Sequence, residues 1–357
     1  MCKFKDVCST STGNKNTQDK IDDGIYPFYV RSQTVERINS WTFDGEAILT
    51  AGDGVGVGKV FHHTYGKIGV HQRVYILSNF KCDANYLFHF FSSHFYNRVK
   101  RMSAKNSVDS VRKEMITEMP LYLPSKQEQT KIGVLLSLLD ERISTQNKII
   151  EDLKKLKSAI IDYVINSHNT DFAKFGSLYE MAGEGGTPTT SNASFYDNGR
   201  IPFIKIDDLK KKYLTENKDF ITELGLQKSS AWLIPTHSIL FSNGATIGEI
   251  TITTYPVCTK QGILGIVPKQ NIDVEFLYYF MSSSYFKKAV SRIVTEGTMK
   301  TAYLKDINNI LCPIPTKEKQ QEIAKIPSAL NSKIDFEQSI LKLFGSQKQY
   351  LLRQMFM

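Results

Sequence analysis

The chain states one long amphipathic segment twice. The segment opening at Pro124, PSKQEQTKIGVLLSLLDERISTQNKIIEDLKKLKSAIIDYVIN, aligns without a gap on the segment opening at Pro315, at a constant offset of 191 residues. Identical pairs include Lys126/Lys317, Gln129/Gln320, Ile132/Ile323, Leu139/Leu330, Ile143/Ile334 and Ile149/Ile340. A single repeat of this length is not a solenoid, whose period is far shorter. The preceding regions repeat too. Ile48-Leu49 in ILTAGDGVGVGKV matches Ile239-Leu240 in ILFSNGATIGEI, and YLFHFFSS from Tyr86 matches FLYYFMSS from Phe276. The chain must therefore fold as two copies of one large unit, each a globular domain followed by a long helix.

In the first repeat Ile132, Leu135, Leu136, Leu139, Ile143, Ile149, Ile150, Leu153, Leu156 and Ile160 form one stripe at three- and four-residue steps. Ser125 with Glu128 three residues on reads as a capping box. The second repeat carries Ile323, Ile326, Leu330, Ile334, Ile340, Leu341, Phe344, Leu351 and Leu352. It is interrupted by Pro327, expected to kink it, and weakened by Gly345. A helix of this length, on the order of 60 Å, needs a partner for its apolar stripe. Its twin is that partner, and an antiparallel pair would set the two domains at opposite ends of a rod.

The bulk numbers exclude several classes. At 357 residues, two to three domains are expected. No run of about 18 apolar residues exists, so no membrane span is expected. The N-terminus lacks the apolar core of a secretory signal, and the five scattered cysteines suit a reducing, cytoplasmic setting. The net charge of +9 is compatible with nucleic acid but does not establish it. The boundaries read as 1–121 for a first domain, 122–167 for a first spacer helix, 168–313 for a second domain and 314–357 for a second spacer helix. Strands are expected at 26–30, 46–50, 57–61, 73–77, 200–206, 238–242, 249–253 and 262–268, and helices at 85–102 and 274–293.

No catalytic constellation emerges. Gly52, Gly54, Gly56 and Gly58 before Lys59 fail the phosphate-loop spacing, because Asp53 stands where the first glycine is required. They read as a tight turn between strands. Asp207, Asp208, Glu216 and Lys218 resemble a nuclease pattern only loosely and read better as a solvated charged loop. The seven histidines, His168 among them, have no metal-site spacing. The aromatic segments at 86–96 and 276–286 read as core rather than as stacking platforms. The basic residues that follow them in both copies (Arg98, Lys100, Arg101, Lys105, Arg112 and Lys113; Lys287, Lys288, Arg292, Lys300 and Lys305) gain weight from their recurrence. His71, Gln72 and Arg73 have the chemistry of base-edge and phosphate contacts, although a plain exposed strand end would look the same.

Two variable domains alternating with two related helices, each opening after proline (PSKQEQTKI, PTKEKQQEI), together with DERI at 140–143, GIYPFYVRS, GDGVGVGKVF and RIPFIKIDDL, resemble the specificity subunit of type I restriction-modification systems. The resemblance covers nearly the whole chain. It implies an α+β chain of two globular mixed target recognition domains joined by two long helices in an antiparallel coiled coil, pseudo-twofold. Each domain would read one half of a bipartite site in double-stranded DNA. The coiled coil would set the spacing and dock two methyltransferase (modification) subunits, with motor-nuclease (restriction) subunits joining in the full complex. The chain itself would be non-catalytic and hold no cofactor or metal; S-adenosylmethionine, ATP and Mg would belong to the partners. Candidate DNA-binding residues are Arg31, Lys59, His71, Gln72, Arg73, Arg98, Arg101, Lys205, Asn243, Thr246, Lys260 and Gln261. The first copy starts almost at once, at Met1, so its opening strand stands in question. The rival readings are a stand-alone or fused restriction nuclease and a generic coiled-coil adaptor.

Both helical stripes are interrupted by a polar residue at the same place, Gln146 and Glu337, which would mark the centre of an antiparallel seam and fix its register, the alternative being that both merely point to solvent. That centre puts Ile132 near Leu351 and Ile160 near Ile323. A disulfide needs Cα atoms within about 7 Å. Ile132→Cys with Leu351→Cys is therefore predicted to cross-link within one chain, read by peptide mass mapping, while Ile132→Cys with Ile323→Cys is not. Efficient closure of the second pair would mean parallel helices.

Overall fold

The computed structural model describes residues 2–102, 110–166, 171–244, 246–294 and 300–356. Lys105, His168 and the expected boundary at 167/168 lie outside them. The chain divides into two compact units, Met1–Lys148 with Ser339–Met357, and Ile149–Gln338.

The first unit runs β1 (Cys2–Lys3), α1 (Phe4–Val7), β2 (Ser9–Thr12), β3 (Tyr26–Tyr29), β4 (Val35–Ile38), β5 (Phe43–Ala51), β6 (Phe61–Val70), β7 (Val74–Ser78), α2 (Ala84–Met102), α3 (Lys113–Thr117), β8 (Pro120–Leu121) and the start of α4 (Lys126–Asn166). Six strands form a sheet in the order β2-β7-β5-β6-β3-β4, in which only β3 and β6 are parallel. β1 pairs with β8, so the opening strand is present and tied to the strand that leads into the long helix. The aromatic stretch is core, as expected: Tyr86, Leu87, Phe90, Phe91 and Phe95 of α2 are buried together with Phe4 and Ile48. The expected strand at 57–61 does not form. Residues 57–59 continue the glycine turn, and β6 begins at Phe61.

The second unit contains the end of α4 and then β9 (Phe172–Lys174), β10 (Tyr179–Glu184), β11 (Ile201–Ile204), β12 (Tyr213–Leu214), β13 (Asp219–Ile221), α5 (Glu223–Gln227), β14 (Ile239–Ser242), β15 (Ile250–Thr253), β16 (Cys258–Thr259), β17 (Ile263–Pro268), α6 (Val274–Ser282), α7 (Ser284–Ile293), α8 (Leu304–Ile307), β18 (Leu311–Pro313) and the start of α9 (Lys317–Met355). β9 pairs with β18 as β1 pairs with β8. The sheet is split in two, β10-β17-β14-β15-β12 and β13-β11-β16. The cause lies in one strand. The ten-residue β6 corresponds to β15 plus β16, and the break between them contains Pro256, which has no N–H for a ladder. The single helix expected at 274–293 is also broken. Ser283 is extended, and its Oγ accepts from the Phe286 N–H, so it caps a new helix.

Each long helix is fastened to its domain by the same glutamine. The Asp83 N–H donates to Gln129 Oε1 at 3.1 Å, and Gln129 Nε2 donates to Pro124 O at 2.8 Å. In the second unit the Asp273 N–H donates to Gln320 Oε1 at 2.8 Å, and Gln320 Nε2 donates to Pro315 O at 2.9 Å. Asp83 and Asp273 in turn accept from the Tyr86 and Phe276 N–H groups at the starts of α2 and α6. The capping box forms as expected, with the Ser125 N–H donating to Glu128 Oε2 at 2.9 Å.

Within each unit the α4 and α9 segments run antiparallel. In the first, Ile132 and Leu136 share a cluster with Leu351, Leu352 and Met355, Lys348 pairs with Asp140, and Arg142 lies 5.6 Å from the Phe344 ring. In the second, Ile161 and Ile165 pack with Ile323 and Ala324, and Lys157 Nζ donates to Asn331 Oδ1 at 3.0 Å. The pairs Asp140–Lys348 and Lys157–Asn331 shift the seam by about five residues from the expected register, so that Ile165 and not Ile160 lies level with Ile323. α9 continues through Pro327 and Gly345. Gln146 and Glu337 are both buried, and Glu337 pairs with Lys333 of its own helix at 2.5 Å.

Beside the first-unit seam lies His89, 2% exposed. Its Nε2 meets Ser137 Oγ at 3.3 Å, and its Nδ1 lies 3.8 Å from Asp140. Burial lowers its pKa well below 6.5; Asp140 opposes the shift, while Lys348 and His63 add to it. The folded state thus resists a proton that the unfolded chain accepts. Stability tied to His89 is whole above pH 6.5 and falls on acidification by up to about 1.4 kcal/mol per pH unit. Denaturant unfolding between pH 7 and pH 5 is expected to show a steeper loss for the natural chain than for His89→Gln. Equal slopes would contradict this.

Candidate nucleic-acid interface

One end of each unit is built by the same backbone bonds from different side chains. In the first unit the register of β3 on β6, Tyr29 opposite Val70, brings the next residues of both strands together. There the His71 N–H donates to Tyr29 O (3.0 Å), Gly52 N–H to Arg73 O (2.7 Å) and Val111 N–H to Gly52 O (2.7 Å). In the second unit Ile204 lies opposite Thr259. The Lys260 N–H donates to Ile204 O (2.9 Å), Asn243 N–H to Gly262 O (3.0 Å) and Ala302 N–H to Asn243 O (2.9 Å). Bond for bond, His71-Gln72-Arg73 corresponds to Lys260-Gln261-Gly262, and Gly52 to Asn243. A glycine crosses behind each turn because nothing larger fits. A Cβ on Gly13 would stand 2.1 Å from Val70 O, and one on Gly185 2.3 Å from Thr259 O.

On this frame the first unit gathers Arg31, His71, Gln72 and Arg73. The Gln72 amide donates to Asn16 Oδ1 at 2.6 Å, and Gln72 and Arg73 are exposed. His71 is buried, and its Nδ1 accepts the Arg73 N–H at 3.0 Å, so it shapes the turn instead of presenting to solvent. Burial and, next, the Arg31 charge lower its pKa, which keeps the ring neutral. Asp53, which sequence reasoning treated only as a flaw in a phosphate loop, holds Arg31 at 2.9 Å and lies 3.6 Å from Arg73 Nε. The acid amid glycines is visible in the sequence, but its arginine partners are distant along the chain. Lys59 is exposed, 5.6 Å from the Tyr96 ring. Arg98 is half-buried and structural: Nε donates to Met115 O at 2.7 Å and Nη2 to Glu118 O at 2.9 Å. Arg101 is exposed near the end of α2.

In the second unit Lys260 and Gln261 are exposed on the turn, with the Gln261 N–H donating to Thr187 Oγ1 at 3.3 Å. Lys205 stands at the end of the neighbouring strand and pairs with Asp219 at 2.7 Å. Asn243 is 2% exposed, its Nδ2 donating to Ala302 O at 3.3 Å, so it too holds the frame. Thr246 is exposed, and its carbonyl accepts from Ser242 Oγ. The nuclease-like acids are dispersed as a charged loop. Asp208 accepts the Lys205 N–H, Asp207 pairs with Lys210, and Glu216 pairs with Lys211. Among the described residues no group of three or more His, Cys, Asp or Glu could hold a metal, and no helix is long and apolar enough to cross a membrane.

A twice-built loop frame with variable polar tips, each followed by a long helix, defines a bipartite recognition protein. Comparison with known proteins identifies the family. The family model described as type I restriction modification DNA specificity domain matches residues 1–155 and again 169–343. The chain belongs to this family and carries its domain twice. It is 23% identical over 359 residues to the type I restriction enzyme EcoDI specificity subunit of Escherichia coli, covering 90% of this chain and 78% of that one. It is 32% identical over 171 residues to the MjaIX specificity subunit of Methanocaldococcus jannaschii, which covers 46% of this chain and 38% of that one. In fold it matches the crystal structure of a type I restriction-modification S subunit from M. genitalium, with a TM-score of 0.68 and 16% identity over 99% of this chain and 95% of that one.

Proposed function

We propose that this chain is the DNA specificity subunit of a type I restriction-modification complex and is itself non-catalytic. Each unit reads one half of a split, asymmetric duplex site through the turn at 71–73 or 260–262. The paired helices set the distance between the halves and dock two methyltransferase subunits. Motor-nuclease subunits complete the assembly, which acts in the cytoplasm. S-adenosylmethionine, ATP and Mg are used by those partners. The observation that carries this reading is the shared frame with unlike exposed tips: Gln72 and Arg73 in one unit, Lys260 and Gln261 in the other. One scaffold presenting two sets of donors is what an asymmetric two-part site requires, because base edges are told apart by donor and acceptor pattern.

The test is exchange. Replacing residues 171–312 with the matching segment of a relative is expected to change one half of the methylated motif in host DNA and leave the other intact. Arg73→Ala and Lys260→Ala are expected to weaken binding by about fivefold or more, each through its own half only. A change in both halves would end the division of labour. Methylation or cleavage of DNA by the chain alone, with S-adenosylmethionine, Mg and ATP supplied, would end the non-catalytic reading.

A further inference from the structure

Asp53 stands where a DNA-binding surface would least favour a carboxylate. It follows β5 at the start of the glycine turn, and its backbone is fixed by a bridge to Ser110 and by the bonds that Gly52 makes to Arg73 and Val111. Oδ1 accepts from Arg31 Nη1 at 2.9 Å, and Oδ2 lies 3.6 Å from Arg73 Nε. The two arginine side chains are 45% and 64% exposed, the carboxylate 25%. Near a polyanion this charge lowers non-specific affinity, since it repels phosphates and offsets two cations. Its value must lie elsewhere, in what it does to the arginines.

Resting on the DNA-reading function above, we propose that Asp53 is the positioning residue that turns Arg31 and Arg73 into guanine readers for the half-site of the first unit. A free arginine on such a surface swings toward phosphate, which carries no sequence information. Asp53 approaches Arg73 on its Nε side, at an ion-pair distance of 3.6 Å that is longer than a hydrogen bond, so its attraction biases the guanidinium to turn both terminal amino groups outward. That pair is the fork that spans O6 and N7 of guanine in the major groove. Holding two long side chains in place before binding also removes part of their ordering cost. Among the described residues the second unit has no such device at the equivalent positions. Gly262 stands at the position of Arg73, and Gly244 follows Asn243 as Asp53 follows Gly52. Guanine reading by this route therefore belongs to one half of the site only.

The experiment selects from a duplex pool with randomised bases, using the full chain assembled with its modification subunits, and sequences what is retained. The natural chain is expected to enrich a split motif with guanine at one or two positions of one half. Asp53→Asn is expected to lose that preference by about tenfold while the other half is unchanged, and its affinity for unselected duplex is expected to hold or rise. Arg73→Lys keeps the charge but lacks the fork, so it is expected to lose guanine preference in the same half as Asp53→Asn. An unaltered motif with Asp53→Asn, or loss of selectivity in both halves, would overturn the proposal and leave the specificity function standing. No enriched motif from the natural chain would overturn the function itself.

Discussion

The glutamine at the start of each long helix is the contact on which the rest of each unit depends. Gln129 and Gln320 are nearly sealed from solvent, at 6% and 1% exposure. Each uses its amide in both senses, accepting from the N–H of the aspartate just before the domain helix and donating to the carbonyl of the proline just before the long helix. A buried amide left half-satisfied costs about 1–3 kcal/mol, so this arrangement is strongly preferred over neighbouring ones. It sets the direction in which the long helix leaves its domain. An apolar stripe alone tolerates rotation and sliding; a two-sided hydrogen bond at its root does not.

Above that root the two copies diverge where packing allows. A proline divides one long strand into two, and with it the sheet. A serine hydroxyl divides one helix into two. The turn that carries the candidate readers is reproduced all the same, because its geometry is set by backbone hydrogen bonds and by a glycine too close to its neighbour for any side chain. Backbone bonds constrain no side chain, so the tips are free to differ. This separation of frame from tip is how one fold can serve many target sequences.

The architecture was legible because long repeats and amphipathic stripes are non-local signals that survive weak identity. Both long helices, their antiparallel sense within each unit, the aromatic cores and the glycine turn followed from pattern alone. The errors were local. The strand expected at 57–61 was drawn from Val57, Val60 and Phe61, but Val57 packs into the core from a turn. The break at Ser283 was hidden inside an unbroken apolar period. The site was half legible. Gln72, Arg73, Lys260 and Gln261 were chosen for their chemistry and do lie on equivalent exposed turns. His71, Arg98 and Asn243 were chosen on the same ground, yet they serve the frame, because residue type does not reveal whether a polar group is spent on the backbone. Asp53 was missed because its partners, Arg31 and Arg73, are brought to it only by the register of the sheet.

The central claim is that the two units present equivalent turns to the two halves of one DNA site. Amide hydrogen exchange on the assembled complex, with and without a duplex carrying its methylated motif, measures this directly. The account predicts added protection at 71–73 and at 260–262 together, and loss of protection at one turn alone when only the matching half of the duplex is scrambled. Protection confined to one unit, or absent from both turns while other surfaces become protected, would contradict it.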